Sequence, residues 1–373
     1  MELKLKKDRI VFLEDSCAWG GVQKWILSLA EGLRDYGWDI TIATPPKGEL
    51  AHRATKSCLD VFPVKLNGTC SVFNLFALMR FIKYLKKNNV KTLFLNGSKE
   101  FKFGGLSAYF AKTKKVIYRR GAALPIANRW DNRFFVNKVV SFLVTNSQSS
   151  KNRILKNGKN WLNQDKIRVI YNGVDLSIFN LKGEIAPISK EFNIPNDYIK
   201  VVCIGRLTEQ KGYPFIIEAI SRVSKSFNKI HVIVVGDGHL RSKLQHMVED
   251  RGLSNMISFA GFRGDIASIL RACDFMLHTP LWEGAPNVIL EAMACGKPVV
   301  SWDVDGIGEL MENNLTGYFS KEKDIEKLTA NIQKMISDIS SSKIKQMGEY
   351  ARKRAEEHFS LKKMIKEYIE ILK

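Results

Sequence analysis

The chain has 373 residues, of which 45% are hydrophobic and 26% charged, a globular composition with room for two domains at roughly 100 to 200 residues each. No apolar run approaches the ~20 residues of a membrane span. The amino end, MELKLKKDRIVFLED, lacks a signal peptide's apolar stretch and cleavage site, so a cytosolic chain is expected. The net charge of +20 is lopsided: residues 1–180 carry 31 Lys and Arg against 13 Asp and Glu, a balance of +18, whereas residues 181–373 carry 27 against 25. Such an excess predicts that the first half meets something anionic, whether a bilayer surface, an acidic glycan or nucleic acid.

Ile10 to Glu14 is a short apolar run that ends in Asp15-Ser16-Cys17-Ala18-Trp19-Gly20-Gly21, and a helix follows with Val22, Ile26, Leu29, Ala30 and Leu33 on one face. Strand, glycine turn and helix open a Rossmann-like unit in which Gly20 and Gly21 let a ligand approach the backbone. The pattern is not Gly-x-Gly-x-x-Gly, so a dinucleotide site has no support. Asp39 to Thr44 and Val61 to Leu66 read as the next strands, then a helix from Val72 to Lys87 and a strand from Thr92 to Asn96. A helix from Lys99 to Ala111, a strand from Val116 to Arg119, a helix around Phe134 to Val140 and a strand from Phe142 to Asn146 complete one doubly wound domain. Within it, Glu100 to Lys115 and Asn128 to Lys138 mix aromatics with Lys and Arg. An interfacial segment needs that mixture, to place rings among lipid headgroups and cations against anionic lipid.

Asn172-Gly173-Val174-Asp175 reads as a turn, and the domain boundary is expected near 173 to 190. The second half opens with a strand from Lys200 to Ile204, followed by Gly205-Arg206-Leu207-Thr208-Glu209-Gln210-Lys211-Gly212. Arg206 and Lys211, at a strand's carboxyl end between glycines, suit a diphosphate: Arg as a planar fork, Lys as a point charge. A strand from Ile230 to Val235, a helix from Leu240 to Arg251 and a strand from Ile257 to Ala260 lead into Gly261-Phe262-Arg263. Next come a strand from Asp274 to His278, a loop with Trp282-Glu283-Gly284, a helix with Pro286 in its first turn and Gly296 at its cap, and a strand from Pro298 to Trp302. Glu283 and Glu291 bracket the start of that helix, whose unpaired N–H groups from about Ala285 to Val288 favour phosphate. A nucleoside diphosphate bearing a ribose diol and a sugar would use all three features. Helices are expected at Ile325 to Ile339, Ser342 to His358 and Leu361 to Leu372.

The six cysteines, at 17, 58, 70, 203, 273 and 295, show no Cys-x-x-Cys spacing and are expected as reduced thiols. The six His show no metal spacing, so metal-independent chemistry is expected. There is no Gly-x-Ser-x-Gly and no Walker loop, which argues against a hydrolase or a P-loop NTPase.

Glu283-x₇-Glu291 inside EGAPNVILEAMACGKPVV resembles the donor-site signature of family 4 glycosyltransferases, retaining enzymes of the GT-B fold. Gly205-Arg206-Leu207 with Lys211-Gly212 is similar to that family's Gly-Arg-Leu…Lys-Gly motif. The resemblance covers nearly the whole chain and is specific mainly from 201 to 319. It implies an α/β protein with two Rossmann-like, doubly wound parallel-sheet domains facing a central cleft: an acceptor-binding domain at 1–172, a nucleotide-sugar donor domain at 173–358, and a closing helix at 359–373 that crosses back to the first. Donor contacts are implied for Gly20, Gly21, Arg206, Lys211, Phe262, Glu283, Gly284, Ala285, Pro286, Asn287 and Glu291, with Glu283, Arg206 and Lys211 catalytic. Glu283 would meet the donor sugar and Glu291 the ribose, while the nucleobase would be held near Gly261-Phe262-Arg263 through main-chain groups. Many relatives carry a His after the fifth strand, where this chain has Tyr118-Arg119-Arg120-Gly121. Arg119 and Arg120 are therefore acceptor-side candidates, and adjacent strand residues point to opposite faces, so at most one faces the cleft.

The implied activity is retaining transfer of a hexose-type sugar from a nucleoside-diphosphate sugar, by family frequency a UDP-sugar, without metal or cofactor. The acceptor would be a glycan or glycolipid such as lipopolysaccharide core, met at the anionic inner face of the cytoplasmic membrane, with no nucleic-acid partner. One rival of the same fold is a non-hydrolysing sugar-nucleotide epimerase. From another class, a nucleic-acid-binding protein would explain the +18 of the first half but not Glu283 and Glu291.

Overall fold

A computed structural model describes residues 8–66, 74–121 and 125–373 as two compact units, one of residues up to Asn172 together with Lys362–Lys373, the other of Gly173–Leu361. Cys70, and Val72, the expected start of a helix, lie outside the described residues. Among those residues no helix is long and apolar enough to cross a membrane.

The first unit is built on seven parallel strands: β1 (Arg9–Leu13), β2 (Asp39–Thr44), β3 (Asp60–Pro63), β4 (Thr92–Leu95), β5 (Lys115–Arg120), β6 (Phe142–Thr145) and β7 (Ile167–Val169). They lie in the order β3-β2-β1-β4-β5-β6-β7, so the direction of winding reverses between β1 and β4. On one face Phe12 stacks on Phe94 at 4.4 Å, and Trp25 of the helix Gly21–Asp35 and Tyr368 of the helix Leu361–Leu372 close over the pair. That last helix packs so closely that a Cβ on Gly32 would lie 2.2 Å from Ile365 Cδ1. Lys115 Nζ donates to the carbonyls of Ile371 and Leu372, both at 2.8 Å, which satisfies two of the acceptors that any helix leaves open at its carboxyl end. On the other face Phe81 and Phe103 stack, as do Phe101 and Tyr118.

The second unit has six parallel strands: β8 (Ile199–Ile204), β9 (Ile230–Val235), β10 (Ile257–Gly261), β11 (Phe275–His278), β12 (Val299–Trp302) and β13 (Gly317–Ser320). Their order is β10-β9-β8-β11-β12-β13, with the reversal between β8 and β11. β9, IHVIVV, is buried throughout, as a central strand covered on both faces must be. Val174 and Ser360 form a parallel bridge, so the two segments that lead out of this unit run side by side.

The observed elements differ from the expected ones where runs are short. The third strand stops at Pro63, and β7, β13 and the helices Glu49–Lys56, Gln148–Gly158, Tyr213–Val223 and Ile266–Ala272 add to those anticipated. Instead of one helix around Phe134 to Val140, a short helix Trp130–Phe134 runs into a π-turn, Phe135–Val139. Pro286 is the residue before the helix Asn287–Ala294, not part of its first turn, because its ψ of 123° is still extended.

Candidate functional site

In an open parallel sheet the chains leaving two neighbouring strands diverge where the winding reverses, and a ligand fits between them. In the second unit those strands are β8 and β11, and the segments that leave them carry Arg206 with Lys211 and Glu283 respectively. Gly212 follows Lys211 at φ +64°, and a Cβ there would come within 2.0 Å of the Thr279 carbonyl, so only glycine lets the two loops meet. Thr279 Oγ1 donates to the Gly212 carbonyl at 3.1 Å, Leu281 N to the Gln210 carbonyl at 2.8 Å, and Gln210 Nε2 to the Trp282 carbonyl at 2.9 Å.

These ties bring Lys211 Nζ onto Glu283 Oε2 as a hydrogen-bonded ion pair between residues 72 apart in the chain, with side chains only 14% and 18% exposed. Asp305 Oδ2 accepts from Glu283 N at 3.0 Å and fixes the loop from the far side. Arg206 is exposed, and its guanidinium has no partner among the described residues. The site thus presents one cation that is already matched and one that is not. His278, the last residue of β11, is buried, and burial together with the Lys211 charge pushes its imidazole well below the usual histidine range. It is therefore neutral and adds nothing to the local charge. Glu291 lies buried within the helix Asn287–Ala294, Gly284, Ala285 and Pro286 are buried before it, and Asn287 is half-buried at its start. Phe262, in the loop after β10, is 67% exposed.

The first unit gathers polar groups at its own reversal. Gly20 precedes the helix Gly21–Asp35 with φ −164°, extended backbone that any residue adopts, and a Cβ there would meet Gln23 Oε1 at an ordinary 3.4 Å. Local structure does not demand glycine at Gly20. The loop that ends there is held by carboxylates: Glu14 Oε1 accepts from Ser16 N at 3.2 Å and Gln23 Nε2 at 3.0 Å, and Glu100 Oε1 accepts from Asp15 N at 3.0 Å. Burial, then the neighbouring Glu100, push the Glu14 carboxyl up to about 7, and burial likewise raises Glu100.

Of the acceptor-side candidates, which lie on opposite faces of β5, Arg119 is the buried one. It is 3% exposed, its guanidinium sits 4.1 Å from the Trp25 ring centroid, and Nη2 donates to Asn172 Oδ1 at 2.8 Å. The cause is its place on the sheet: paired register puts it on the face of Phe12 and Phe94, against the core helix. Arg120 points the other way, donates to the Tyr118 hydroxyl at 3.1 Å and keeps some solvent exposure.

Sequence reasoning passed over Glu14, Glu100 and Asp305. The metal-free expectation also overlooked an Asp-x-Asp, Asp303-Val304-Asp305, whose second carboxylate serves the Glu283 amide. Among the described residues no group of His, Cys, Asp and Glu is arranged to hold a metal ion. A signal for Glu14 was present: an ionisable residue ending an apolar strand, just before a glycine loop, at a predicted carboxyl edge.

Two Rossmann-like units of this kind are the GT-B architecture of glycosyltransferases. Residues 19–178 match the model of glycosyltransferase family 4 and residues 184–354 that of glycosyl transferases group 1, and the chain belongs to the family 4 glycosyltransferases. Two uncharacterized glycosyltransferases of Methanocaldococcus jannaschii are similar to it. One is 32% identical over 44% of this chain and 40% of its own length, the other 30% identical over 70% of this chain and 68% of its own. The UDP-Gal:alpha-D-GlcNAc-diphosphoundecaprenol alpha-1,3-galactosyltransferase of Escherichia coli is 26% identical over 85% of each chain. The fold is also that of Anabaena Alr3699/HepE in complex with UDP, at a TM-score of 0.83 and 22% identity over 98% of this chain and 99% of that one.

Proposed function

We propose that this glycosyltransferase moves a hexose-type sugar, with retention and without a metal, from a UDP-sugar to a glycan borne on a lipid at an anionic cytoplasmic membrane surface. The observation that carries the donor reading is the Lys211–Glu283 pair beside the unmatched Arg206 at the reversal of the second sheet. An arriving diphosphate gives Arg206 its first partner and competes with Glu283 for Lys211. Glu283, once released, accepts hydrogen bonds from sugar hydroxyls, and Glu291 from the ribose. As the glycosidic bond breaks, negative charge grows on the leaving phosphate, where the two cations and the N–H groups at Asn287 are already in position. The leaving phosphate takes up the acceptor's proton on the same face of the sugar, which gives retention. The lipid-borne acceptor is supported by the name of the Escherichia coli relative and by the +18 balance of residues 1–180.

The test is thermal denaturation of the chain with a panel of sugar nucleotides, because a ligand that binds only the native state raises Tm by mass action. UDP-sugars should raise it, and Arg206→Ala should blunt the shift. No shift with any sugar nucleotide would remove the reading. An epimerase, in contrast, would incorporate solvent deuterium into the donor with no acceptor present.

A further inference from the structure

The aromatic rings of residues 100–115 and 128–138 divide between core and surface: Phe101, Phe103 and Phe135 are buried, whereas Tyr109, Phe110, Trp130 and Phe134 are exposed. A separate exposed apolar patch lies on the helix Leu75–Lys87, where Leu75 is 66%, Phe76 80% and Met79 68% exposed. The same helix buries Leu78, Phe81 and Leu85 against the sheet, so its packing stripe is complete without the other three. The remaining exposed face holds Arg80, Lys83, Lys86 and Lys87 and no acid. Indeed no Asp or Glu occurs between Asp60 and Glu100, a stretch with seven Lys and Arg. Three large apolar side chains in the first turns, followed on one face by four cations, fit the boundary of an anionic bilayer and little else in water.

We propose that the helix Leu75–Lys87 is the element that docks the first unit on anionic lipid, with Leu75, Phe76 and Met79 entering the acyl boundary and Arg80, Lys83, Lys86 and Lys87 against the headgroups. The inference rests on the membrane-facing reading of the basic unit and names its contact. The helix links β3 to the parallel strand β4, so its first turn lies at the carboxyl edge of the sheet, the edge that bears the Gly20 loop. Docking there holds that edge beside the lipid on which the acceptor is borne.

Sedimentation of the full chain with phosphatidylglycerol vesicles, and with phosphatidylcholine vesicles as control, tests this. The variant Leu75→Ser, Phe76→Ser, Met79→Ser should bind acidic vesicles at least about 100-fold more weakly, counting roughly tenfold for each large apolar side chain withdrawn from lipid. Its Tm and its Tm shift with UDP-sugar should be unchanged, because none of the three is buried in the fold. Lys83→Gln with Lys86→Gln and Lys87→Gln should weaken binding and flatten its salt dependence. Full vesicle binding by the serine variant would overturn the assignment of this helix while leaving the membrane reading intact. No binding of the wild type to acidic vesicles would overturn both, and a concentration-dependent dimer lost in the serine variant would assign the patch to a second copy instead.

Discussion

Glu14 makes the sharpest test of the first unit's polar edge, through Glu14→Gln, which keeps an oxygen to accept from Ser16 N and Gln23 but cannot ionise. Burial and Glu100 hold the native carboxyl at about 7, against 4.5 when unfolded. The folded state therefore binds the proton more tightly. The stability this contributes is fully present below pH 4.5 and is lost as pH rises through 7. Between pH 5 and pH 8 the change amounts to roughly 2 to 3 kcal/mol, at 1.36 kcal/mol per unit of pKa difference. Amide hydrogen exchange in β1 and β4, corrected for intrinsic rates, reads the opening free energy of this unit directly. Wild type should lose protection between pH 5 and pH 8, and Glu14→Gln should lose less, with the difference between them carrying the effect because other groups titrate in both. Equal pH slopes in the two proteins would refute the reasoning and mean that Glu14 ionises normally in the fold.

Arg206→Ala and Lys211→Ala should each lower turnover by ~10² or more with the fold intact, as losses of one charge-stabilising group typically do, and wild-type rates would remove that cation from the mechanism. Glu291→Gln should weaken UDP and UDP-sugar alike, since ribose is common to both, whereas Glu283→Gln should weaken mainly the UDP-sugar; titration calorimetry with each ligand separates the two. Lys112→Gln with Lys114→Gln should reduce attachment to acidic vesicles by less than the loss of the Leu75–Lys87 cations, and leave UDP-sugar binding unchanged. Lys115 is spared in that variant because its ammonium holds the end of the helix Leu361–Leu372, and Lys115→Gln should instead lower Tm in a thermal melt.

What could be read from the sequence is what local pattern encodes. Ile230 to Val235 is β-branched nearly throughout and Leu361 to Leu372 keeps a strict helical stripe, so both were legible. β7, with three residues, and β13, with four, are too short to show a period, and they are strands only because β6 and β12 provide edges to pair with. Arg206, Lys211, Glu283 and Glu291 were legible because they stand at predicted strand ends and a helix start. The Lys211–Glu283 contact was not, since it depends on the reversal of strand order between β8 and β11. The environment of Glu14 is made by Gln23 and Glu100, and that of Arg119 by Trp25 and Asn172, partners that only the sheet register brings together.

The helix Leu361–Leu372 covers Trp25 and Phe94 of the first unit, yet the 189 residues of Gly173–Leu361 separate its body from Asn172. At about 5 to 20 residues per second, the ribosome needs roughly 10 to 40 s to make that intervening stretch. During synthesis the first unit thus waits with an uncovered aromatic layer while the second is completed, and the order of assembly departs from the order of translation. A substitution that slows folding of the second unit should for this reason be felt in the first, as prolonged exposure of the Phe12–Phe94 layer to chaperones and to other nascent chains.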